Sequence, residues 1–222
     1  NDVVQLMEDR SGIIWIGTEG GGVNLIKKDR YKFPHYRHIQ GDPRCISGNY
    51  VTAIHNDAGG ELWIGTGGTG LNRIDEGRGR YTVYRHDPAS PATSLSHDYI
   101  TAISGTEDPR QLWIGTRDGL NRLDIRTGTF RHFKHDASRP GSLRHNQIHS
   151  ILLDSRGDLW VIAYVHLDRL PNGASDFIHY LHDPKVPESI SEGPGYPIVE
   201  DRAGSPGSSR TAAALVCSPK AS

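Results

Sequence analysis

The chain is poor in the residues from which redox frameworks and metal centres are built. Its 222 residues include two cysteines, Cys45 and Cys217, and this pair gives neither a metal-binding spacing nor a disulfide framework. The twelve histidines are spread along the chain, and no HExxH motif occurs. We therefore predict no metal and no cofactor. We expect Cys45 to be structural rather than nucleophilic, since it has no adjacent base pattern.

An excess of charge and a long apolar run are also missing. Lys plus Arg number 25 and Asp plus Glu number 26, so the formal net charge of −1 does not favour binding to nucleic acid or to an anionic membrane. No apolar run approaches the roughly 18–20 residues of a membrane helix, and the sequence shows no signal peptide. The first residue, Asn1, lies inside a strand-like run, so we expect the chain to be a piece of a longer protein.

The chain does contain a repeated pentapeptide. "LWIGT" occurs at 62–66 and 112–116, "IWIGT" at 14–18, and a diverged copy, "LWVIA", at 159–163. The tryptophans of these four copies are 48, 50 and 47 residues apart. Self-similarity at such a period is typical of repeat architectures.

Each repeat unit predicts four short β-strands. In the second unit, the runs "YVTAIHND", "ELWIGT", "GLNRI" and "YTVYRH" have strand length and are separated by turns rich in Gly and Asp. No segment has the apolar spacing that a helical solenoid needs. We therefore predict an all-β chain that forms a partial β-propeller over residues 1–205. The predicted blades are about 1–46, 47–96, 97–145 and 146–194, and the first strand of a fifth blade is predicted at 195–205.

The stacking of blades assigns roles to two repeat positions. One blade cannot bury both faces of its sheet alone, so it needs a neighbour on each side. A tryptophan buries roughly 150–250 Å². We predict that Trp15, Trp63, Trp113 and Trp160 form the core between blades and are not sugar platforms, with Trp15 or Trp160 less covered at an end. The glycine after each "WI" predicts that a neighbouring backbone comes close.

The repeat resembles that of the two-component regulator propeller family. The resemblance rests on "NDAGGELWIGTGGTGLNRI", followed by "YTVYRHDPASPATSLSHDYI", and covers Val3 to roughly Ser205. It implies a seven-bladed ring, of which this chain would be a fragment. It also implies the periplasmic sensor region of hybrid histidine kinases that respond to oligosaccharides. The resemblance therefore implies a periplasmic or extracellular location. The implied partners are the remaining blades and signalling domains of a longer parent chain.

The repeat stops after "PIVEDRAGS" at 197–205, where "PGSSRTAAALVCSPKAS" replaces the expected second strand. One set of codons for this tail, read from the third base, encodes Trp-Ile-Val-Thr-Asp-Gly-Gly-Gly, which resembles "WIGTEGGG" at 15–22. We therefore hypothesise that the tail is translated out of frame. The alternative is a native low-complexity linker. In either case we expect residues 206–222 to be irregular, because Ser, Ala, Pro and Gly bury little apolar surface.

In a propeller, the connection after the fourth strand and the turn between the second and third strands lie at the same end of the disc. Candidate ligand-binding side chains there combine planar polar groups with an aromatic ring. Each of them is also an ordinary type for a solvated loop. The recurring His-Asp pairs at 86–87, 135–136 and 182–183 are expected to be structural turns. The candidates are Glu19, His97, Arg117, Asp118, His145, Tyr164 and His166.

Three functions fit these features. The first is a non-enzymatic sensor module that binds a carbohydrate or another small ligand. The second is a propeller lyase or hydrolase similar to the streptogramin lyase family, which would need a general base. The third is a protein-interaction scaffold. Ligand identity is not predictable, because specificity on this fold lies in variable loops.

Overall fold

The computed structural model describes residues 2–9, 12–26, 35–75, 77–186, 189–190, 198–200, 206–210 and 213–214. Blade 1 contains β1 (Val3–Glu8), β2 (Ile14–Thr18), β3 (Gly22–Ile26) and β4 (His35–Tyr36). Blade 2 contains β5 (Val51–Asn56), β6 (Leu62–Thr66), β7 (Leu71–Asp75) and β8 (Arg80–Tyr84). Blade 3 contains β9 (Ile100–Gly105), β10 (Gln111–Thr116), β11 (Gly119–Asp124) and β12 (Thr129–Phe133). Blade 4 contains β13 (Ile148–Leu153), β14 (Leu159–Ala163), β15 (His166–Leu170) and β16 (Ile178–Tyr180).

Each blade is a four-stranded antiparallel sheet whose strands follow one another in chain order. The first strands of neighbouring blades pack against one another, so they form the inner edges of the blades. Within the described ranges, a 3-10 turn at Pro91–Thr93 is the only helical segment, and no helix is long and apolar enough to span a membrane. The predicted all-β propeller architecture is therefore confirmed.

The tryptophan of each second strand packs against the next blade. Trp63 lies in a cluster with Ile100 and Ile114 of blade 3, and its ring stacks on Tyr84 of its own outermost strand. The predicted burial is confirmed, because the four tryptophans are at most 5% exposed. The expectation of a less covered tryptophan at one end is wrong, since every ring also packs against an aromatic ring of its own fourth strand.

An aspartate in the first turn fixes the tryptophan ring. In blade 2, the Asp57 carboxylate accepts hydrogen bonds from Trp63 Nε1 and from the backbone N–H groups of Gly59 and Glu61, each at 2.9 Å. One side chain therefore ties the first turn to the core between two blades. The same carboxylate–indole bond joins Asp9 to Trp15 and Asp154 to Trp160.

The glycine of the "WIG" triplet faces a neighbouring side chain rather than a neighbouring backbone. A Cβ atom on Gly65 would lie 2.6 Å from Cγ2 of Ile100 in blade 3. A Cβ atom on Gly115 would lie 2.7 Å from Cγ2 of Ile148 in blade 4. The expectation of close backbone approach is therefore wrong. The glycine leaves room for the first aliphatic residue of the next inner strand.

One face of blade 1 is apolar and exposed. Val3 and Leu6 of β1 are 59% and 63% exposed. The residues at the same register in blade 2, Val51 and Ile54, are almost fully buried because Trp15 and its neighbours cover them. Blade 1 therefore presents a surface of the kind that a preceding blade covers elsewhere in the fold.

The fifth repeat unit contains more strand than the sequence predicts. β17 (Ile198–Glu200) pairs antiparallel with β18 (Pro206–Arg210), which pairs in turn with β19 (Ala213–Ala214). The expectation of an irregular chain from Pro206 is wrong for these two segments, because backbone N–H and C=O groups can extend a ladder without apolar side chains. The rest of the predicted tail at 206–222 lies outside the described residues, and its translation frame stays a hypothesis.

Candidate functional site

The turns and connections at one end of the blades are joined by backbone hydrogen bonds. Arg117 N donates to Tyr99 O at 3.2 Å within blade 3, and Gly119 N donates to Asn146 O at 2.7 Å across to blade 4. Equivalent bonds recur in the other blades. Because the first strands are innermost, this end surrounds the propeller axis. We call a group of side chains at this end the rim: Glu19, Tyr50, Tyr99, Arg117, His145 and Tyr164.

The middle of the rim is an aromatic pair that carries a cation. Tyr50 and Tyr99 directly precede the inner strands of blades 2 and 3, and their rings meet edge to face with centroids 6.2 Å apart. The Tyr99 hydroxyl donates to the Tyr50 hydroxyl at 3.3 Å. The Arg117 guanidinium lies over the Tyr99 ring, with Cζ 3.7 Å from the centroid. The ring therefore holds a planar cation by a cation–π interaction.

The blade 4 part of the rim contains a strained tyrosine. Tyr164 has φ +58°, and it is the one non-glycine residue with positive φ in the described part of the chain. This conformation costs a residue with a Cβ atom roughly 1–2 kcal/mol. The Tyr164 ring packs on His145 with centroids 4.9 Å apart and contacts His149 at 6.3 Å. Such strain is found most often at binding and switch positions.

Two ionisable groups at this end have displaced pKa values. The hydrogen bond between the two hydroxyls, followed by the charge of Tyr99, raises the pKa of Tyr50. Burial, followed by the charges of His145 and Arg117, lowers the pKa of His149. Arg117 therefore adds positive charge to the surroundings of the His149 ring.

The remaining predicted residues have different surroundings. Glu19 forms an isolated β-bridge with Tyr50 at the edge of the rim. The Asp118 carboxylate accepts from Lys134 Nζ at 2.6 Å and from Asn146 Nδ2 at 3.1 Å, so the fold already uses both of its oxygens.

The two other predicted histidines, His97 and His166, have different local roles. His97 Nδ1 accepts the backbone N–H of Tyr99 at 2.8 Å. His166 begins β15 and is half-buried; burial, followed by the charge of Arg144, lowers its pKa. Of the predicted residues, Arg117, His145 and Tyr164 make ring contacts at the rim.

Sequence reasoning missed Tyr50, Tyr99 and His149. A signal was available, because "NYV" at 49–51 and "DYI" at 98–100 place a tyrosine directly before two inner strands. The residue before an inner strand belongs to the rim on this fold, so the repeat alignment alone could have identified both tyrosines.

The recurring His-Asp turn has a structural geometry. His86 N donates to Asp98 Oδ1 at 2.7 Å, and His86 Nδ1 bonds to the Leu95 carbonyl at 2.7 Å. The same Nδ1–carbonyl bond recurs at His38, His135 and His182.

The described residues form no metal site, and a second concave surface lies away from the rim. His145 and His149 are four residues apart, but one lies in a loop and the other in β13, so they do not share a helix face as zinc-binding pairs do. No group of three or more His, Cys, Asp or Glu among the described residues could hold a metal ion. At the opposite end, a cleft of about 350 Å³ opens between blades 3 and 4, lined by residues that include Glu107, Trp113 and Asn172.

Comparison with known proteins identifies the repeats and the fold. Residues 1–20, 45–68 and 142–164 match the family model described as two component regulator propeller. No curated protein matches the chain. A solved extracellular domain assigned to a hybrid two component system of B. thetaiotaomicron has a TM-score of 0.75 and 24% identity; the match covers 94% of this chain and 28% of that one.

Two further structures share the fold. An extracellular domain assigned to a one component system of the same organism has a TM-score of 0.73 and 20% identity, with 93% of this chain and 26% of that one covered. A catalytically inactive virginiamycin B lyase from Staphylococcus aureus, solved with quinupristin, has a TM-score of 0.64 and 14% identity, with 91% and 61% covered. This chain spans about a quarter of the length of the two extracellular domains. Three segments of the chain thus match the two component regulator propeller model, and the fold is that of solved extracellular domains assigned to two component and one component systems.

Proposed function

We propose that the chain is a ligand-binding sensor module of a two-component signalling receptor and is not an enzyme. Its rim would recognise an oligosaccharide or another small extracellular ligand. The module would work in the periplasm or outside the cell, joined to the remaining blades and signalling domains of a longer chain. The observation that carries the proposal is the convergence of aromatic and ionisable side chains from four blades at one end of the inner strands.

Packing beneath the rim supports a binding role. Val51 and Ile100, which follow the two rim tyrosines, are fully buried, so the backbone that carries those rings is fixed by the core. Tyr50 and Tyr164 are 38% and 48% exposed, which leaves ring surface for a ligand. Ligand sites commonly combine such apolar surface with a few polar groups held in place.

The enzyme alternative receives less support from the geometry. A general base works best when a neighbouring group orients it. At the rim, His145 Nδ1 accepts the backbone N–H of Gln147 at 3.0 Å, and the nearby Asp118 carboxylate is held by Lys134 and Asn146. Within the described residues, these contacts give neither group the partner that acid–base catalysis requires.

Thermal unfolding with a glycan panel tests the proposal, since a ligand that binds the native state raises the unfolding temperature. The chain is compared with Tyr164→Gly and with the control Ile178→Ala, which removes a similarly exposed apolar side chain from the outermost strand of the same blade. We expect at least one glycan to stabilise the chain and the control, but not Tyr164→Gly.

Three outcomes would contradict the proposal. The first is that none of the glycans raises the unfolding temperature of the chain. The second is stabilisation that Tyr164→Gly retains in full, which would place the ligand away from the rim. The third is turnover of a glycan or of a cyclic depsipeptide, detected by mass spectrometry, which would favour the lyase alternative.

A further inference from the structure

We infer that the blade 3 and blade 4 part of the rim binds the carboxylate of an acidic saccharide, with Arg117 as the residue that receives it. This inference rests on the proposed function, because it names the chemical class of ligand for the same site. Three features of the rim support it: a guanidinium without a carboxylate partner, a histidine ring whose available nitrogen is a donor, and a positive potential around both.

The described contacts of Arg117 leave its guanidinium without a carboxylate. In the part of the chain that the structure describes, it makes no salt bridge, and its guanidinium lies over the Tyr99 ring. The adjacent acid, Asp118, binds Lys134 and Asn146 instead. By contrast, many arginines of blades 2 to 4 pair with a carboxylate: Arg73, Arg78, Arg110, Arg139, Arg156 and Arg169.

Stacking prepares the Arg117 guanidinium for a planar anion. A cation–π contact uses one face of the group and leaves its in-plane N–H donors available. Those donors match the two oxygens of a carboxylate and form paired, charge-assisted hydrogen bonds. Because Tyr99 already restricts the side chain, less conformational entropy is lost on binding than for a free arginine.

His145 supplies a second donor on the blade 4 side. Its Nδ1 accepts the backbone N–H of Gln147 at 3.0 Å, so the proton of the neutral ring is on Nε2. The ring is held by contact with Tyr164 at 4.9 Å between centroids. The positive φ of Tyr164 therefore belongs to the residue whose ring holds the His145 imidazole at the rim.

The potential around these donors is positive. Burial lowers the pKa of His149, and the positive charge of Arg117 lowers it further. Burial, and then the charge of Arg144, lower the pKa of His166, although the buried Asp168 acts in the opposite direction. An anion bound at this position would be attracted by the same positive charges that lower the pKa values of the two histidines.

The same surface favours a sugar over a bare anion. Tyr50 and Tyr164 expose ring surface on either side of Arg117 and His145 along the rim. Such rings offer an apolar partner for the C–H face of a sugar, which acetate or inorganic sulfate lacks. One guanidinium suits a single carboxylate better than a doubly charged phosphate, which more cations would recognise.

Calorimetric titration of the full chain tests the inference with matched probes. Methyl β-glucuronide and methyl β-glucoside differ in the carboxylate, and sodium acetate and sodium sulfate serve as sugar-free anions. We expect the glucuronide to bind at least tenfold more tightly than the glucoside, since charge-assisted bonds contribute about 1.5–3 kcal/mol. We expect both salts to bind more weakly than the glucuronide.

Two arginine variants locate the effect. Arg117→Gln should abolish the preference for the glucuronide, while Arg126→Gln should keep it. Arg126 is also exposed, but it lies in the turn between β11 and β12 at the opposite end of blade 3. Both variants should unfold at the temperature of the parent chain, because neither removes a buried side chain.

The outcomes separate this inference from the function on which it rests. Equal binding of the two glycosides, or a preference that persists in Arg117→Gln, would overturn the inference and leave a glycan sensor in place. Acetate or sulfate binding as tightly as the glucuronide would overturn the saccharide part. If no glycan of the wider panel binds at all, the proposed function fails as well.

Discussion

The Asp57 carboxylate allows a sharp prediction about what holds the blades together. Asp57→Asn keeps the shape of the side chain but removes its charge. The new amide N–H₂ group must replace one of the two carboxylate oxygens. In one orientation it faces the donor Trp63 Nε1, and in the other it faces two backbone N–H donors. Trp63 is fully buried, so water cannot replace the lost acceptor.

The magnitude follows from the contacts. A hydrogen bond to a charged group contributes about 1.5–3 kcal/mol, and a buried donor left without an acceptor costs about 1–3 kcal/mol. We therefore expect Asp57→Asn to lower the free energy of unfolding by about 2–4 kcal/mol. The two backbone donors are partly buried and add less.

Blade 3 provides a matched control at the same repeat position. Glu107 replaces the aspartate there, and its exposed carboxylate accepts from Asn172 of blade 4 at 2.9 Å. Glu107→Gln should change the free energy of unfolding by about 0.5 kcal/mol or less, as is usual at the surface. Urea unfolding followed by circular dichroism measures both variants. Equal effects of the two substitutions would refute the reasoning.

Three further predictions concern pH, packing and association. Burial alone would raise the pKa of Asp154, but hydrogen bonds from Trp160 and from backbone N–H groups lower it overall. The stability from Asp154 should therefore be complete above the pKa of this carboxyl in the unfolded chain and be lost as the pH falls through the lower folded pKa. Acid unfolding of Asp154→Asn should lack this component. Gly65→Ala should cost about 1–3 kcal/mol in urea unfolding, since the added Cβ meets Ile100, and no cost would contradict the close approach. Leu6→Lys should reduce self-association measured by analytical ultracentrifugation, and an unchanged sedimentation profile would show that the exposed face of blade 1 does not drive it.

The repeat made the blades predictable from sequence, because each unit places its tryptophan and glycine where a neighbouring blade demands them. Trp63 packs into blade 3, and Gly65 accommodates Ile100 of the same blade. These constraints act between neighbouring units, so they recur with the period of the chain. The sequence does not distinguish a close side chain from a close backbone, and the expectation of a close backbone was wrong because Gly65 meets Cγ2 of Ile100.

The rim was only partly predictable, because its contacts join residues from different blades. Arg117 was identified from its turn position, but its partner Tyr99 precedes an inner strand and carries no local signature of binding. Asp118 has the residue type of a ligand contact, yet Lys134 and Asn146 use its carboxylate. The positive φ of Tyr164 could not be foreseen, because the sequence gives no glycine or asparagine to mark it.

Hydrogen–deuterium exchange with a stabilising glycan tests the central claim, which is that the rim is the ligand-binding site. The account predicts slower exchange in 49–52, 97–101, 116–119, 144–149 and 163–166, where the rim backbone lies. The cleft at the opposite end supplies the internal comparison, through the segments 106–113 and 170–175. Protection confined to those cleft segments, with the rim segments exchanging at their ligand-free rate, would contradict the account.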